Sequence, residues 1–449
     1  PLMADPDAFD YHLLTEQALG RIMPNGQRTT DPVSSPLLDA GNPASDFSAE
    51  PAPNGGRVNI GVFGGSAQAS SARVSPWLKA ISFGDAGYVT NGTFTLRWIA
   101  GGELSNETVK VEVSVDGGRS WTQTVASGVA ATNGEATWNV ADLPDTPAGV
   151  WRVTGLQRTN VWSGSSNFFA IRNQPLNLYV NGIYTNEAVY TTAAGRPDNW
   201  MATSNAPLDS LRVVFERFDL EPGDSIWVDP AVYLEPAAIS ISLKNSGTTS
   251  QPIRVTGPLN KPYTGAILAR TSRGSGSYVI QLVNARGIEF SGLVVSNAFI
   301  GIYEQNSQGI LWNKGRVSHC VTNGIFAGSG ADLTVSHSII ENNLTAGLQT
   351  LTGSTIRVHN SLLRNNDYAA ILRKGGDLDV KNSIILASGD RRYVYWGGGG
   401  TLSSDYNNIR ATDGAFVSGN EDRLPDRFLI DWQIRTSLSN DSPSLGYEL

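Results

Sequence analysis

Three stretches decide the reading of this chain: LTVSHSIIENN at 333–343, IRVHNSLLRNN at 356–366 and LDVKNSIILAS at 378–388. Working outward, Ile288, Ile310, Leu333, Ile356, Leu378 and Leu402 form one column, with steps of 22, 23, 23, 22 and 24 residues. A second column holds Gly301-Ile302, Gly324-Ile325, Gly347-Leu348 and Ala370-Ile371, each 23 apart. Between the columns run short apolar strands: Leu293-Val294-Val295, Ser338-Ile339-Ile340, Ser361-Leu362-Leu363 and Ser383-Ile384-Ile385. Asparagines follow them at Asn297, Asn342-Asn343 and Asn365-Asn366. Asparagine tolerates a left-handed turn, and its amide can stack on the next rung. Three strands and three turns per rung make one coil of a right-handed parallel β-helix, and stacked coils bury a continuous apolar column. A leucine-rich repeat has a similar period, but its LxxLxL pattern with a helical segment is absent.

Composition agrees. A chain of 449 residues exceeds one ordinary core and implies two or three domains, with a solenoid as the main exception. With 48 glycines and only 16% charged residues, an all-β protein rich in tight turns fits better than a helical one. The net charge of -8 argues against nucleic acid as a partner. A lone cysteine, Cys320, excludes a disulfide framework and a Cys-based metal site, and four histidines argue against a His-rich centre. No metal or other cofactor is expected, and no motif supports bound Ca²⁺. No stretch approaches the roughly 18 apolar residues of a membrane span. The first residue is Pro1 and no signal peptide is visible, so a processed chain or a piece of a longer one is expected. Secretion to the cell exterior is inferred from architecture alone.

With its columns in register, the sequence resembles the pectate-lyase-like β-helix proteins with parallel β-helix repeats. The segments Leu178-Tyr179-Val180-Asn181, Ala188 to Gly195, Leu208-Asp209-Ser210-Leu211 and Leu220 to Val228 are similar to the opening of β-helices on large bacterial surface proteins. Leu208, Leu211, Val214, Phe215 and Phe218 fall at helical spacing, which predicts a short amphipathic helix capping the apolar column. Pro222-Gly223-Asp224 then turns into the first strand, and irregular early coils are expected over 239–286.

Domain boundaries are read at 1–74, 75–174 and 175–449. The middle segment alternates as strands at Phe94–Trp98, Val109–Val113 and Phe168–Ile171, with Trp98, Trp121, Trp138 and Trp151 expected in an aromatic core. About 100 residues with seven short strands suit an immunoglobulin-like β-sandwich. Ser114, Asp116, Gly118 and Trp121 are similar to an Asp-box hairpin, in which the Asp braces the turn. Exposed tryptophans of this domain could instead stack on sugar rings.

Residues 1–74 resemble the closing tail of a β-helix: Pro1 to Pro6, Phe9 to Leu13, Ser35 to Gly41 and Asn54 to Gly61 carry the likeness. The chain ends at Asp431-Trp432-Gln433 and Ser442-Pro443-Ser444-Leu445, a stretch similar to the linker that precedes such a tail. The order tail, sandwich, cap and coils leaves the last coil uncapped. A bare end exposes apolar side chains and strand edges. The expectation is head-to-tail assembly with further copies, the N-terminal segment of one copy covering the open end of the next, through Leu2, Phe9, Tyr11, Leu13, Trp432 and Leu445. A tandem repeat within one polypeptide, or residues 1–70 folding back over their own last coil, are the alternatives.

An enzyme on this scaffold needs clustered carboxylates or a base near them. Asp332, Asp377 and Asp379 read as strand-start turn residues, and His319, His337 and His359 as ordinary polar turn positions. Glu341 beside Arg364, and Arg357 beside Asp379, read as exposed cross-rung ion pairs. Arg373, Lys374, Arg391 and Arg392 near Tyr393, Tyr395 and Trp396 form a candidate basic, aromatic patch for an anionic glycan. Sequence therefore favours a non-enzymatic structural or adhesive module of an extracellular surface protein or filament. The alternative is a β-helix protein that binds or cleaves polysaccharide, as a lyase or hydrolase.

Overall fold

The computed structural model describes residues 2–436 except 18, 43, 72–75, 85–86, 91, 142, 183–186 and 422. Leu445 and the rest of the expected linker beyond 436 lie outside the described residues. The chain divides into two compact units, Pro1–Asn173 and Gln174–Leu449.

In the first unit, residues 2–71 are mostly turns around an antiparallel pair, Met3–Asp5 with Asp10–Leu13. Their interior is polar and tied down by hydrogen bonds: Ser70 Oγ donates to Leu13 O at 2.6 Å, and Thr15 Oγ1 to Ser71 O at 2.8 Å. Glu50 accepts from the backbone amides of Asn59 and Gly65 at 2.8 and 2.7 Å. A segment short of apolar residues holds its shape this way, because buried backbone groups must find partners.

The sandwich that follows has a three-stranded sheet (Glu135–Asn139, Thr93–Gly101, Trp77–Ala80) packed near a six-stranded one built on Thr146–Gly155 and Thr108–Ser114. Trp98, Trp138, Trp151 and Phe169 fill its core, and the indole N–H groups of Trp98 and Trp151 donate to Ala131 O and Ser82 O. Trp121 departs from expectation. It stays half-buried outside this core, with the Arg152 guanidinium 4.1 Å over its ring. The Asp-box hairpin does form: Asp116 accepts from Ser114 Oγ (2.6 Å), Ser120 N (2.9 Å) and Ser120 Oγ (2.6 Å), and Gly118 N donates to Ser114 Oγ.

The second unit is a parallel β-helix with three sheets. Sheet A runs from Asn177–Val180 to Leu402–Asp405 in nine strands, and sheet B from Ala231–Glu235 to Asn408–Thr412 in eight. Sheet C runs from Ile239–Ile241 to Phe416–Asn420 and closes on an antiparallel strand, Arg423–Asp426. The first sequence column is an inward row of sheet A, pairing Ile288, Ile310, Leu333, Ile356, Leu378 and Leu402 in order. The second is an inward row of sheet C, pairing Ile302, Ile325, Leu348 and Ile371. Each such side chain contributes about 1.5–3 kcal/mol by leaving water.

Polar ladders fix the turns. Asn297, Asn342 and Asn365 are left-handed, with φ of 59°, 57° and 53°. The next residues stack: Cys320 N donates to Asn343 Oδ1 (3.1 Å), and Asn343 Nδ2 to Asn366 Oδ1 (3.0 Å). Gly324 is required beside this ladder, since a Cβ there would lie 2.7 Å from Asn343 Nδ2. Serines do the same at the turn from sheet A to sheet B, with Gly315 N to Ser338 Oγ, Ser338 N to Ser361 Oγ and Ser361 N to Ser383 Oγ.

Both ends of the column are covered. Helix α1, Leu211–Arg217, is N-capped by Ser210 and buries Leu211, Val214 and Phe215, as the spacing predicts. The far end is not bare, which corrects the expectation. Helix α2, Leu429–Thr436, brings Trp432 to 1% exposure against Tyr395, with ring centroids 5.3 Å apart. The small side chain of Ser418 stands over Tyr395 in the last coil, and that leaves room for the indole.

Candidate functional site

Because strand residues alternate in and out, the sequence between two inward positions faces solvent. On sheet A one outward row pairs Arg254, Glu289, Leu311, Thr334, Arg357, Asp379 and Ser403. A second pairs Ser336, His359, Lys381 and Asp405. The late coils therefore gather Arg357, His359, Asp379 and Lys381 on one face.

His359 Nε2 lies 3.0 Å from Asp379 Oδ2, and Lys381 Nζ is 3.1 Å from Asp379 Oδ1. Burial alone would push the Asp379 carboxyl up, but hydrogen bonds from His359, Ser403 and Lys381 together hold it below the usual carboxylate range. An ionised carboxylate can only accept, so the ring turns Nε2–H toward Asp379 and leaves Nδ1 on its other side. Arg357, two residues before His359 on the same face, bonds Asp332 Oδ1 at 2.6 Å and lines a groove of about 390 Å³ with Glu289, Leu311 and Thr334. The arrangement offers an oriented imidazole between two ion-paired cations, and of this cluster Arg357 alone also lines the groove.

These placements correct several expectations. Asp379 faces outward in mid-strand and is not a turn residue, and His359 faces outward as the last residue of its strand, just before the left-handed Asn360, whereas His319 and His337 do sit at left-handed turns with φ of 59° and 48°. Arg357 pairs with Asp332 and leaves Asp379 to His359 and Lys381. Glu341 is buried at 3% exposure between Arg316 (2.6 Å) and Arg364 (2.7 Å), so that pair is not an exposed one. Reading alternate positions in register (Arg357 and His359, Asp379 and Lys381, Ser403 and Asp405) would have revealed the cluster.

The basic, aromatic patch is divided by its own strands. Arg373 and Lys374 end one strand of sheet C, where Arg373 Nη2 donates to Gly399 O at 2.9 Å. Arg391 occupies a left-handed turn before the next strand, and Arg392 bonds Asp367 at 2.6 Å. Tyr393 and Trp396 pack together with centroids 4.4 Å apart, while Tyr395 points into the column at 2% exposure, out of a ligand's reach. Of the expected assembly residues, Leu2, Phe9 and Tyr11 are exposed, and Leu13 and Trp432 are buried. Among the described residues no three His, Cys, Asp or Glu side chains gather as a metal site. No helix among them is long and apolar enough to cross a membrane.

Residues 265–415 match the family model described as "Right handed beta helix region". The right-handed parallel β-helix that the repeats imply is therefore the fold of this unit. No curated protein matches the chain. Among solved structures the chain is similar to the pectate lyase Pel9A, at 16% identity and a TM-score of 0.37, covering 60% of this chain and 86% of that one. It is also similar to an alginate lyase from Paenibacillus sp. str. FPU-7, at 16% identity and a TM-score of 0.32, covering 46% of this chain and 95% of that one.

Proposed function

We propose that this is an extracellular protein that binds an anionic polysaccharide along the outer face of sheet A and cleaves it by elimination. One observation carries the reading: His359 is held by Asp379 beside Lys381 and Arg357 on one solvent-facing sheet. Elimination from a uronate needs a base to take the proton next to the carboxylate and cations to stabilise the charge that develops. His359 Nδ1 accepts that proton. Arg357 and Lys381 face the sugar carboxylate. The glycosidic C–O bond then breaks, a C=C bond forms in the residue that lost the proton, and the departing oxygen takes a proton from water. Asp379 is a positioning residue.

The test is incubation with polygalacturonate, alginate and a sulfated glycan, read by the ultraviolet absorbance of the new conjugated double bond. The wild-type chain should generate it with at least one uronate polymer. His359→Ala should lower the rate by about 100-fold or more, the scale of a lost general base, and Asp379→Asn should change its pH profile. No new chain ends with any polymer would sink the reading.

Head-to-tail assembly is the second reading, favoured by Phe9, which is 80% exposed in a left-handed conformation, and by exposed Phe428 and Ile430 at the far cap. Apolar side chains this exposed are typical of contact surfaces when they cluster. Light scattering should then show size rising with concentration, and Phe9→Ser should abolish the rise. A wild-type chain that stays monomeric at every concentration removes this reading.

A further inference from the structure

A second groove lies in the sandwich, on the solvent face of its six-stranded sheet, and sheet A plays no part in it. Cross-strand register sets its walls. Thr154 pairs with Trp162 and with Lys110, and Arg152 pairs with Gly164 and with Glu112. Gly155 has no side chain, and the surface dips there into a groove of about 380 Å³ that Lys110, Glu112, Arg152 and Thr154 also line. Trp162 walls it. Its indole lies over Gly164, where a Cβ would come 3.7 Å from the ring, and it remains 62% exposed. An indole left this far in water within a short strand contributes little to folding, since little of its area is buried.

The polar side of the groove is built in advance. Glu112, 5% exposed on an otherwise solvated face, bonds Lys110 Nζ at 2.6 Å and Arg152 Nη2 at 2.8 Å. Arg152 is also fixed from below by the Trp121 ring, 4.1 Å from its guanidinium carbon. The buried carboxylate thus holds two cations in place, and the trio keeps one net positive charge. An aromatic wall opposite oriented N–H donors suits a pyranose ring, whose C–H face is apolar and whose edge is a row of acceptors. The surplus positive charge selects a ring that carries a carboxylate.

We propose that the sandwich holds a separate binding subsite for an acidic sugar ring, stacked on Trp162 and hydrogen-bonded by Lys110 and Arg152. This inference does not rest on cleavage at sheet A. The decisive measurement is calorimetric titration of the full chain, carrying Arg357→Ala and His359→Ala to silence the other face, with oligogalacturonate and with a neutral oligoglucan of equal length. Oligogalacturonate should bind, and Trp162→Ala should weaken it about tenfold or more, as loss of a central aromatic contact does. Lys110→Ala should weaken the acidic ligand, and the neutral one should bind poorly throughout. An unchanged thermal midpoint in Trp162→Ala separates lost contact from lost fold. Binding that survives Trp162→Ala intact, or that is absent from the starting chain, overturns the subsite. Equal affinity for the neutral oligomer overturns its acidic selectivity.

Discussion

Raising the pH from about 4.5 to about 8 should destabilise the β-helix by several kcal/mol, and Glu304→Gln should remove that loss. Glu304 lies in the sheet C strand Ile300–Gln305 and points inward, in a row with Leu282, Ala327 and Thr350. It is 0% exposed. Its Oε1 accepts only a long bond from Asp332 N, at 3.2 Å, and Oε2 is buried without a hydrogen-bond partner. Burial therefore pushes the carboxyl up from 4.5 to about 8, outweighing the backbone bond from Asp332, while the nearby Asp332 charge pushes the same way. Arg357 gives no relief, since it is drawn to the Asp332 carboxylate. The folded chain keeps a proton that the unfolded chain releases above about 4.5. Stability accordingly falls as pH rises through this window and levels off above about 8. Each pH unit costs about 1.4 kcal/mol, so the full loss is on the order of a few kcal/mol.

Glutamine mimics the protonated acid and cannot ionise, so urea unfolding followed across this range should show a shallower slope for Glu304→Gln and a more stable variant at pH 8. Asp39, which burial pushes up to about 7 in the tail, adds a slope of the same sign to both proteins. The difference between the two curves is the readout. Identical slopes would mean that the Glu304 carboxyl is solvated in the native state.

Why the repeat was legible and the site was not follows from where each kind of residue stands. Ile288 to Leu402 occupy an inward row that admits only apolar side chains, so a step near 23 survives in the sequence even where strands differ in length. The turn asparagines show for a similar reason, since left-handed φ narrows the choice of residue. His359, Asp379 and Lys381 face outward, where any polar residue is tolerated. Their partnership depends on which of two neighbouring rungs a side chain reaches. Arg357 could reach Asp379 in the next rung, and its bond to Asp332 in the rung before decides otherwise. Trp121 misled because an Asp-box tryptophan usually buries. Here a neighbouring strand offers Arg152, and the ring stays half-exposed beneath it. Glu304 stands two residues after inward Ile302, so alternation alone marks it as inward while its charge points the other way.

The far cap is hardest to read from sequence and the easiest to remove. Helix α2 belongs to no repeat, and among its described side chains Trp432 is the buried one: it stacks on Tyr395 at 18° between ring planes. Trp432→Ala should lower the unfolding free energy by about 3–5 kcal/mol, because an emptied indole site in a packed interior loses both transfer energy and contacts. Solenoid coils couple mainly to their neighbours, so the damage should be local. Hydrogen exchange should accelerate in Tyr393–Gly398 and Phe416–Asn420 while Tyr278–Val283, several coils away, keeps its protection. The same variant also bears on assembly. If another copy's N-terminal segment is the true cover for this end, loosening α2 should favour larger species, whereas a purely internal lid should give only a less stable monomer. A Trp432→Ala chain as stable as wild type, with exchange unchanged in the last coils, would show that Tyr395 needs no cover from α2.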